Sequence, residues 1–349
     1  MHKILVTGHQ GYIGVHLVDL LLQEGYHVTG CDLQLFEGCA LEPYISPHVQ
    51  LNRDFRSLTL EEVSHYDCIM HLAAISNDPM GDLEPGITYK VNRDGTIDLV
   101  QKAKIAGVKR FLFASSCSIY GKGRSLSIDE SGETAPLTAY AISKIAAEEK
   151  LQELNDKNFI ALCLRNATAY GYSPMLRIDL VVNNLLACAF SKAEIRVMSD
   201  GSPWRPLIHC KDIARAFVAF MKAPKSALKY PIVNVGANEE NYQVKDIVNK
   251  VLHCIPQAKV VYTGEIGADP RNYQVNFDLL KKVLPEFILE YSLERGIDEL
   301  FHKFKQHGFS AKDFESDKFI RLKTLNNTLK KLMHPEISQG REQRAVLHR

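Results

Sequence analysis

Short apolar, β-branched runs alternate with longer amphipathic stretches through the first half of the chain. Runs at Lys3–Thr7, His27–Asp32, Cys68–Leu72, Arg110–Ala114 and Phe159–Arg165 predict strands. Patterns of helical period at Tyr12–Glu24, Gly86–Ile105 and Ala139–Asn155 predict helices between them. Strands joined by helical crossovers imply a parallel sheet covered on both faces, and right-handed crossovers make it doubly wound. Beyond about residue 170 the pattern loosens. Leu180–Phe190, Lys211–Met221, Tyr242–Cys254 and Leu293–Phe304 read as helices, Glu194–Met198 and Pro231–Val235 as strands, and Asp200–Pro203 as a turn. The polar, helix-prone tail carries Leu322, Leu325, Leu329 and Leu332 on one stripe, which is expected to pack on the body of the protein.

Composition narrows the class without naming a chemistry. The 349 residues suit about two domains and a large core that needs no metal or disulfide staples. The 42 Lys and Arg nearly cancel the 41 Asp and Glu, giving a formal charge of +1. That balance provides no electrostatic drive toward nucleic acid or an anionic membrane, so neither is expected as a partner. Cysteines stand at 31, 39, 68, 117, 163, 188, 210 and 254, with no Cys-x-x-Cys pair and no His/Cys cluster of zinc spacing. They read as reduced core thiols, no metal is expected, and the expected compartment is the cytoplasm. Met1–Val6 runs straight into a strand, so a signal peptide is not expected. No apolar stretch approaches the roughly 18 residues of a membrane span.

The first strand ends in Thr7-Gly8-His9-Gln10-Gly11-Tyr12-Ile13-Gly14, followed at once by an amphipathic helix. Glycines allow the tight turn and let the backbone approach a pyrophosphate, which the helix N-terminus then attracts. Gly8, Gly11, Tyr12, Ile13 and Gly14 are therefore candidate cofactor contacts. Asp32 ends the second strand, placed to accept hydrogen bonds from an adenosine ribose and to repel a 2′-phosphate. Leu33, Gln34 and Leu35 bring no Arg for such a phosphate, so NAD is expected rather than NADP. Asp54 and Phe55 are candidates to flank the adenine.

Tyr140 and Lys144 stand one helical turn apart and share a face. A phenol ordinarily ionises near pH 10, too high for efficient proton transfer at neutrality. A neighbouring ammonium favours the phenolate, so the pair suits removal of a proton from a hydroxyl. Upstream, a buried strand emerges into Ser115-Ser116-Cys117-Ser118-Ile119-Tyr120-Gly121, a hydroxyl-rich loop at the strand end where open α/β sheets bind ligands.

With these motifs in place, the chain from Met1 to about Leu300 resembles an extended short-chain dehydrogenase/reductase. It looks like the NAD-dependent epimerase/dehydratase family that acts on nucleotide sugars, UDP-galactose 4-epimerases included. The carriers are Gly8/Gly11/Gly14, Asp32, His71-Leu72-Ala73-Ala74, Asn92, the Ser-Ser-Cys-Ser-Ile-Tyr-Gly segment and Tyr140/Lys144. The resemblance implies a Rossmann-type doubly wound parallel sheet at 1–170, joined by parts of 205–235. It also implies a smaller α/β substrate-binding domain at 171–310, with residues 311–349 left as a helical extension. It implies Tyr140 as acid/base, Lys144 as its partner on the nicotinamide ribose, and Ser116, with Ser115 as alternate, as the hydroxyl beside the reacting group. Leu72, Ala73 and Ala74 resemble cofactor contacts, and Asn92 resembles a residue that orders a helix bend. Trp204-Arg205-Pro206-Leu207-Ile208-His209 and Asp269-Pro270-Arg271 resemble the segments that bring two arginines, Arg205 and Arg271, to a nucleotide diphosphate. Ser76, Asn77 and Asn183 fall where the family meets its substrate. The helices Gly86–Ile105 and Ala139–Asn155 resemble the pair that forms a homodimer.

Departures from the family pattern bear on the reaction. The 4,6-dehydratases carry Asp-Glu after the catalytic Ser/Thr, where this chain has Cys117 and Ser118. The 3,5-epimerising members carry Cys at the position of Ser118, one place from Cys117, and a shift of one residue in an extended segment turns a side chain to another face. The resemblance thus implies an NAD-dependent nucleotide-sugar epimerase working through transient oxidation at C4. The alternatives are a 4-dehydrogenase or 4-ketosugar reductase, a dehydratase, and a non-catalytic NAD-binding regulator.

Overall fold

Burial on both faces of the early strands divides the molecule into layers. The protein is described by a computed structural model over residues 3–76, 84–121, 127–264 and 271–326. Its strands are β1 (Lys3–Thr7), β2 (His27–Cys31), β3 (Val49–Leu51), β4 (Cys68–His71), β5 (Arg110–Ser116), β6 (Ile160–Asn166), β7 (Thr168–Tyr170), β8 (Glu194–Val197), β9 (Trp204–His209), β10 (Ile232–Val235), β11 (Asn241–Gln243) and β12 (Lys259–Tyr262). Seven of them form one sheet in the order β10-β6-β5-β4-β1-β2-β3. Every pairing in it is parallel. Ile4, Val6, Met70, Leu112, Leu162 and Leu164 point to one face, where they pack with Leu17 and Leu21 of the helix Gly14–Gln23 and Phe217 of the helix Cys210–Lys222. Leu5, Ile69, Phe111, Phe113 and Cys163 point to the other, against Leu99, Val100, Ala147 and Leu151 of the helices Thr96–Ile105 and Ala139–Leu154. Alternation along each strand is what lets one sheet anchor helices on both sides.

A second core lies in the later part of the chain. There β11-β9-β7 and β12-β8 form two small sheets, and Leu185, Leu186, Ile247, Ile297 and Phe304 pack together. The chain returns once to the large sheet, where β10 adds its edge strand beside β6.

Two expected helices change at their ends or middle. The helix expected at Tyr12–Glu24 begins only at Gly14, because residues 8–13 form the turn described below. The stretch expected as one helix over Gly86–Ile105 is a short helix Pro85–Thr88, a π-helical segment Tyr89–Gly95 and a helix Thr96–Ile105. Within the π segment the Asn92 amide accepts from the Ile75 N–H at 2.8 Å and donates to the Ile75 carbonyl at 3.0 Å. Wide turns of this kind recur next to functional sites, and this one clamps the loop that leaves β4.

In the tail, Leu325 is buried and lines the main cavity together with Leu322, while Leu329 and Leu332 lie outside the described residues. Among the described residues no helix is long and apolar enough to cross a membrane.

Candidate active site

The sheet order reverses at β1 and β4, and the crevice outside their carboxyl ends is where such sheets bind ligands. Leaving β1, the backbone turns at Gly8 with φ of +74°, and a Cβ there would lie 2.7 Å from the Ala73 nitrogen. At Gly14 a Cβ would stand 2.2 Å from the Gly8 carbonyl oxygen. Any side chain at either place would force apart the turn and the loop after β4. No side chain caps the helix that starts at Gly14, and its Val15 and His16 N–H groups donate to the Gly11 and Ile13 carbonyls, so an anion here would meet the positive end of the helix dipole rather than a row of free donors. Gly8, Gly11, Tyr12, Ile13 and Gly14 line a cavity of about 1210 Å³. The cradle is thus shaped by close backbone approach, which fits a dinucleotide pyrophosphate.

Asp32, Asp54, Phe55, Leu72, Ala73 and Ala74 line the same cavity. The Asp32 carboxylate accepts from the Gln10 N–H at 3.1 Å and the Gln34 N–H at 3.0 Å, which fixes it at the rim. Burial alone would raise the Asp54 carboxyl, but bonds from the Arg56 side chain and N–H bring it below its ordinary value. Phe55 is buried edge-on against His71, ring centres 4.8 Å apart. His71 lies between Thr7 Oγ1 at 2.6 Å and Thr96 Oγ1 at 2.9 Å. Burial first, and the Lys144 cation second, push it down to about 3, so it stays neutral.

Thr138 caps the helix Ala139–Leu154 by accepting from the Ala141 N–H, which starts the helix just ahead of Tyr140. Tyr140, Lys144 and Glu148 follow at one-turn intervals on one face. Lys144 is buried, its Nζ donating to the Ala114 carbonyl at 2.7 Å. That nitrogen lies 4.4 Å from the Phe113 ring centre and 5.5 Å from that of Tyr140. Burial pushes the ammonium down to about 7, against the opposing pull of the Glu148 carboxylate. Ser116 ends β5, lines the cavity and accepts from the Ser118 N–H at 3.1 Å. Ser115, one residue earlier, donates to Glu148 instead. Glu148 also holds Arg165 through paired bonds, the shortest 2.7 Å, in a buried ion pair. Both serines border the cavity, and the hydroxyl of Ser115 is tied into the buried Glu148–Arg165 pair.

The expected substrate contacts divide. Arg205 and Arg271 both line the cavity and touch each other, the Arg205 guanidinium donating to the Arg271 carbonyl. Ser76 lines it too, while Asn77 lies outside the described residues. Asn183 does not reach it. Its side chain is fully buried and bonded to Gly171, the Tyr12 hydroxyl and the Arg177 carbonyl. Asn184, its neighbour, lines the cavity. Four cavity-lining arginines escape the sequence reading: Arg56, Arg177, Arg196 and Arg321. Arg177 is held by Asp179 at 2.6 Å and donates to Ser76 Oγ. Burial would lower its guanidinium, but the Asp179 carboxylate keeps it above the ordinary value. An Arg-x-Asp pair in a loop looks like a solvated surface pair in sequence, so nothing there marked it.

Residues 4–236 match the NAD dependent epimerase/dehydratase family. The human UDP-glucose 4-epimerase is 31% identical over 280 residues, 70% of this chain and 80% of that protein. The chain belongs to the NAD dependent epimerase/dehydratase family. The UDP-glucuronate 4-epimerase of Thermodesulfobacterium geofontis is 28% identical over 319 residues, 85% of this chain and 96% of that protein. Among solved structures, an NAD dependent NDP-hexosamine 5,6-dehydratase of tunicamycin biosynthesis superposes with a TM-score of 0.78 at 23% identity. It covers 88% of this chain and 98% of the other, a likeness of fold alone.

In this family member the two positions that follow Ser116 carry no carboxylate. Cys117 is fully buried, its thiol donates to the Arg165 carbonyl at 3.2 Å, and burial pushes its ionisation up. It is a packed thiol with no path to act as an acid or base. Ser118 lines the cavity, and its buried hydroxyl has no partner among the described residues.

Proposed function

We propose that this family member is a nucleotide-sugar 4-epimerase, with UDP-sugars as the substrates to test first. The reading rests on one arrangement: Tyr140 and Lys144 stand on one helix face beside Ser116, in the cavity floored by the glycine turn. Gly8, Gly11, Tyr12, Ile13, Gly14 and Asp32 would hold the adenosine diphosphate half of NAD, with Asp54, Phe55, Leu72, Ala73 and Ala74 around them. NAD, when bound, accepts and returns the reducing equivalent at C4 of the sugar. Tyr140 Oη takes the proton of the C4 hydroxyl as that carbon is oxidised and gives it back when the ketone is reduced from the other face. Lys144, in its protonated form, favours the phenolate from one turn away, and would reach the nicotinamide ribose. Ser116 Oγ hydrogen-bonds the C4 oxygen and orients it against Tyr140. Arg205 and Arg271, joined by Arg177 and Arg196 on the cavity wall, supply charge-assisted bonds to the diphosphate.

Cys117 and Ser118 favour this outcome over elimination of water, which needs an acid and a base at the neighbouring carbons. The cofactor half is read as 1–170 with β10, and the substrate half as 171–310. The molecule is read as a cytoplasmic homodimer.

The deciding experiment incubates the protein with a panel of UDP-sugars. Product mass, sugar configuration and absorbance of reduced cofactor are followed together. Unchanged mass, a new C4 epimer and no accumulated NADH are expected. Net NADH with loss of two hydrogens assigns a dehydrogenase instead, and loss of water a dehydratase. Tyr140→Phe should lower turnover by roughly 10²- to 10⁴-fold with NAD affinity unchanged; wild-type turnover in that variant removes Tyr140 from the mechanism.

A further inference from the structure

The C-terminal segment covers part of the cofactor cleft, and it does so with a cation. After the helix Leu293–Gln306, Ser310 and Asp313 form a capping box for the short helix Ala311–Glu315. Phe319 is buried against Phe309, and its carbonyl accepts from the Ile178 N–H at 3.1 Å. These contacts carry Ile320, Arg321, Leu322 and Leu325 to the wall of the cavity that holds the glycine turn and Asp32.

Arg321 is only 2% exposed. Its guanidinium lies 4.3 Å over the Phe36 ring, and Nη2 donates to the Met175 carbonyl at 3.0 Å. Nη1 is buried with no hydrogen-bond partner among the described residues. Among the described residues no carboxylate forms an ion pair with it, although five N–H donors are available. Burial first, then the Arg177 cation, lowers its ionisation to about 10. A buried cation left this way is strongly unfavourable, a penalty that an anion from outside the chain would relieve. Met175, to which Arg321 is tied, packs with Val15 in the first turn of the helix Gly14–Gln23. Arg321 and the first turn of that helix therefore meet the same residue, Met175, at the wall of the cavity.

We propose that Arg321 is a binding residue for the pyrophosphate of the dinucleotide, clamping it against the helix N-terminus from the opposite wall. The inference rests on reading the glycine-turn cavity as the NAD site. A 2′-phosphate on the adenosine ribose is the competing anion, and the Asp32 carboxylate beside that position opposes it. The role depends on the region beyond residue 236, where the family match ends.

The test is calorimetric titration of the full chain, freed of nucleotide, with NAD, NADP, ADP-ribose, adenosine and UDP. Arg321→Gln should weaken NAD and ADP-ribose by roughly 10- to 100-fold, the worth of one or two charge-assisted bonds. Adenosine and UDP should change less than twofold. Equal losses for adenosine and ADP-ribose overturn the proposal, since they describe a segment that merely shapes the wall. A loss confined to UDP, or to NADP, overturns it in favour of another phosphate. If Arg321→Gln does not fold, Arg321→Lys is titrated instead. It keeps the charge but loses the planar fork, so a several-fold loss for ADP-ribose alone is expected, and unchanged affinity overturns the proposal. Failure of the wild-type protein to bind NAD at all refutes the reading of the cavity, a different result from unchanged binding in the variants.

Discussion

At the residue scale the site is governed by the burial of Lys144. The folded protein releases its proton near 7, whereas an exposed lysine holds it to about 10.4. Below 7 both folded and unfolded chains carry the proton, and the full penalty of burying an ammonium is present. Between 7 and 10.4 the unfolded chain binds more protons at this group, so the Lys144 contribution to the stability of the nucleotide-free protein rises with pH there. Lys144→Met removes the titrating group. The difference in unfolding free energy between wild type and Lys144→Met should therefore move in favour of wild type from pH 7 to 9, with a slope approaching 1.4 kcal/mol per pH unit. Urea titrations at several pH values measure it, and parallel curves for the two proteins would show that Lys144 is not depressed. The Tyr-x-x-x-Lys spacing was readable in the sequence. The burial of the lysine was not, because it comes from Phe113 and Ala114 on a strand distant in the chain.

At the element scale the helix Ala139–Leu154 is set in rotation by Glu148. Its carboxylate takes Arg165 from β6 and Ser115 from β5, and Arg165 also donates to the Tyr120 hydroxyl at 2.9 Å. All four residues are buried, so the helix cannot turn about its axis without stranding a charge. Tyr140 and Lys144 share the stripe that ends in Glu148, and this fixes the direction in which they face. Glu148→Gln leaves the Arg165 cation without its counter-charge and should cost about 3–5 kcal/mol, read from chemical unfolding. The double variant Glu148→Gln, Arg165→Met should recover much of that loss. A single-variant cost below about 1 kcal/mol would mean the network does not hold the helix. Strand positions and the alternation with helices were legible because burial on both faces leaves near-continuous apolar runs. The break of the segment 85–105 into a π-helical turn was not, since a side chain clasping the Ile75 backbone leaves no periodicity to read. Asn183 failed for a related reason: whether an amide faces a cavity or its own loop depends on the one-residue phase of a helix start, which composition does not set.

At the scale of the whole molecule, the helices on one face of the parallel sheet carry apolar side chains into water. The helix Ala139–Leu154 packs beside Thr96–Ile105 and the π-helical turn before it, on the outer side of the parallel sheet. Ile105 is 73% exposed and Ile142 42% exposed on these helices. Apolar side chains in water on adjacent helices favour self-association, and a two-fold axis between two such pairs buries the same patch from both copies. The reading as a homodimer accordingly places the contact on these helices, on the same element that carries Tyr140 and Lys144. Light scattering at micromolar concentration should give twice the chain mass of 39.3 kDa. Ile142→Glu sets a charge into that contact, where an unpaired buried carboxylate is strongly unfavourable, and should shift the protein to the single-chain mass. Ile142 lies two residues from Tyr140 but is exposed where Lys144 is buried, so the fold of the monomer should survive the change. A single-chain mass for wild type would refute the dimer, and a dimer unaltered by Ile142→Glu would move the interface to another face. Turnover measured alongside separates the roles of the helix: a monomeric variant with wild-type turnover means that its buried stripe alone orders the site, and a parallel loss means that the partner copy helps to hold Tyr140 in place.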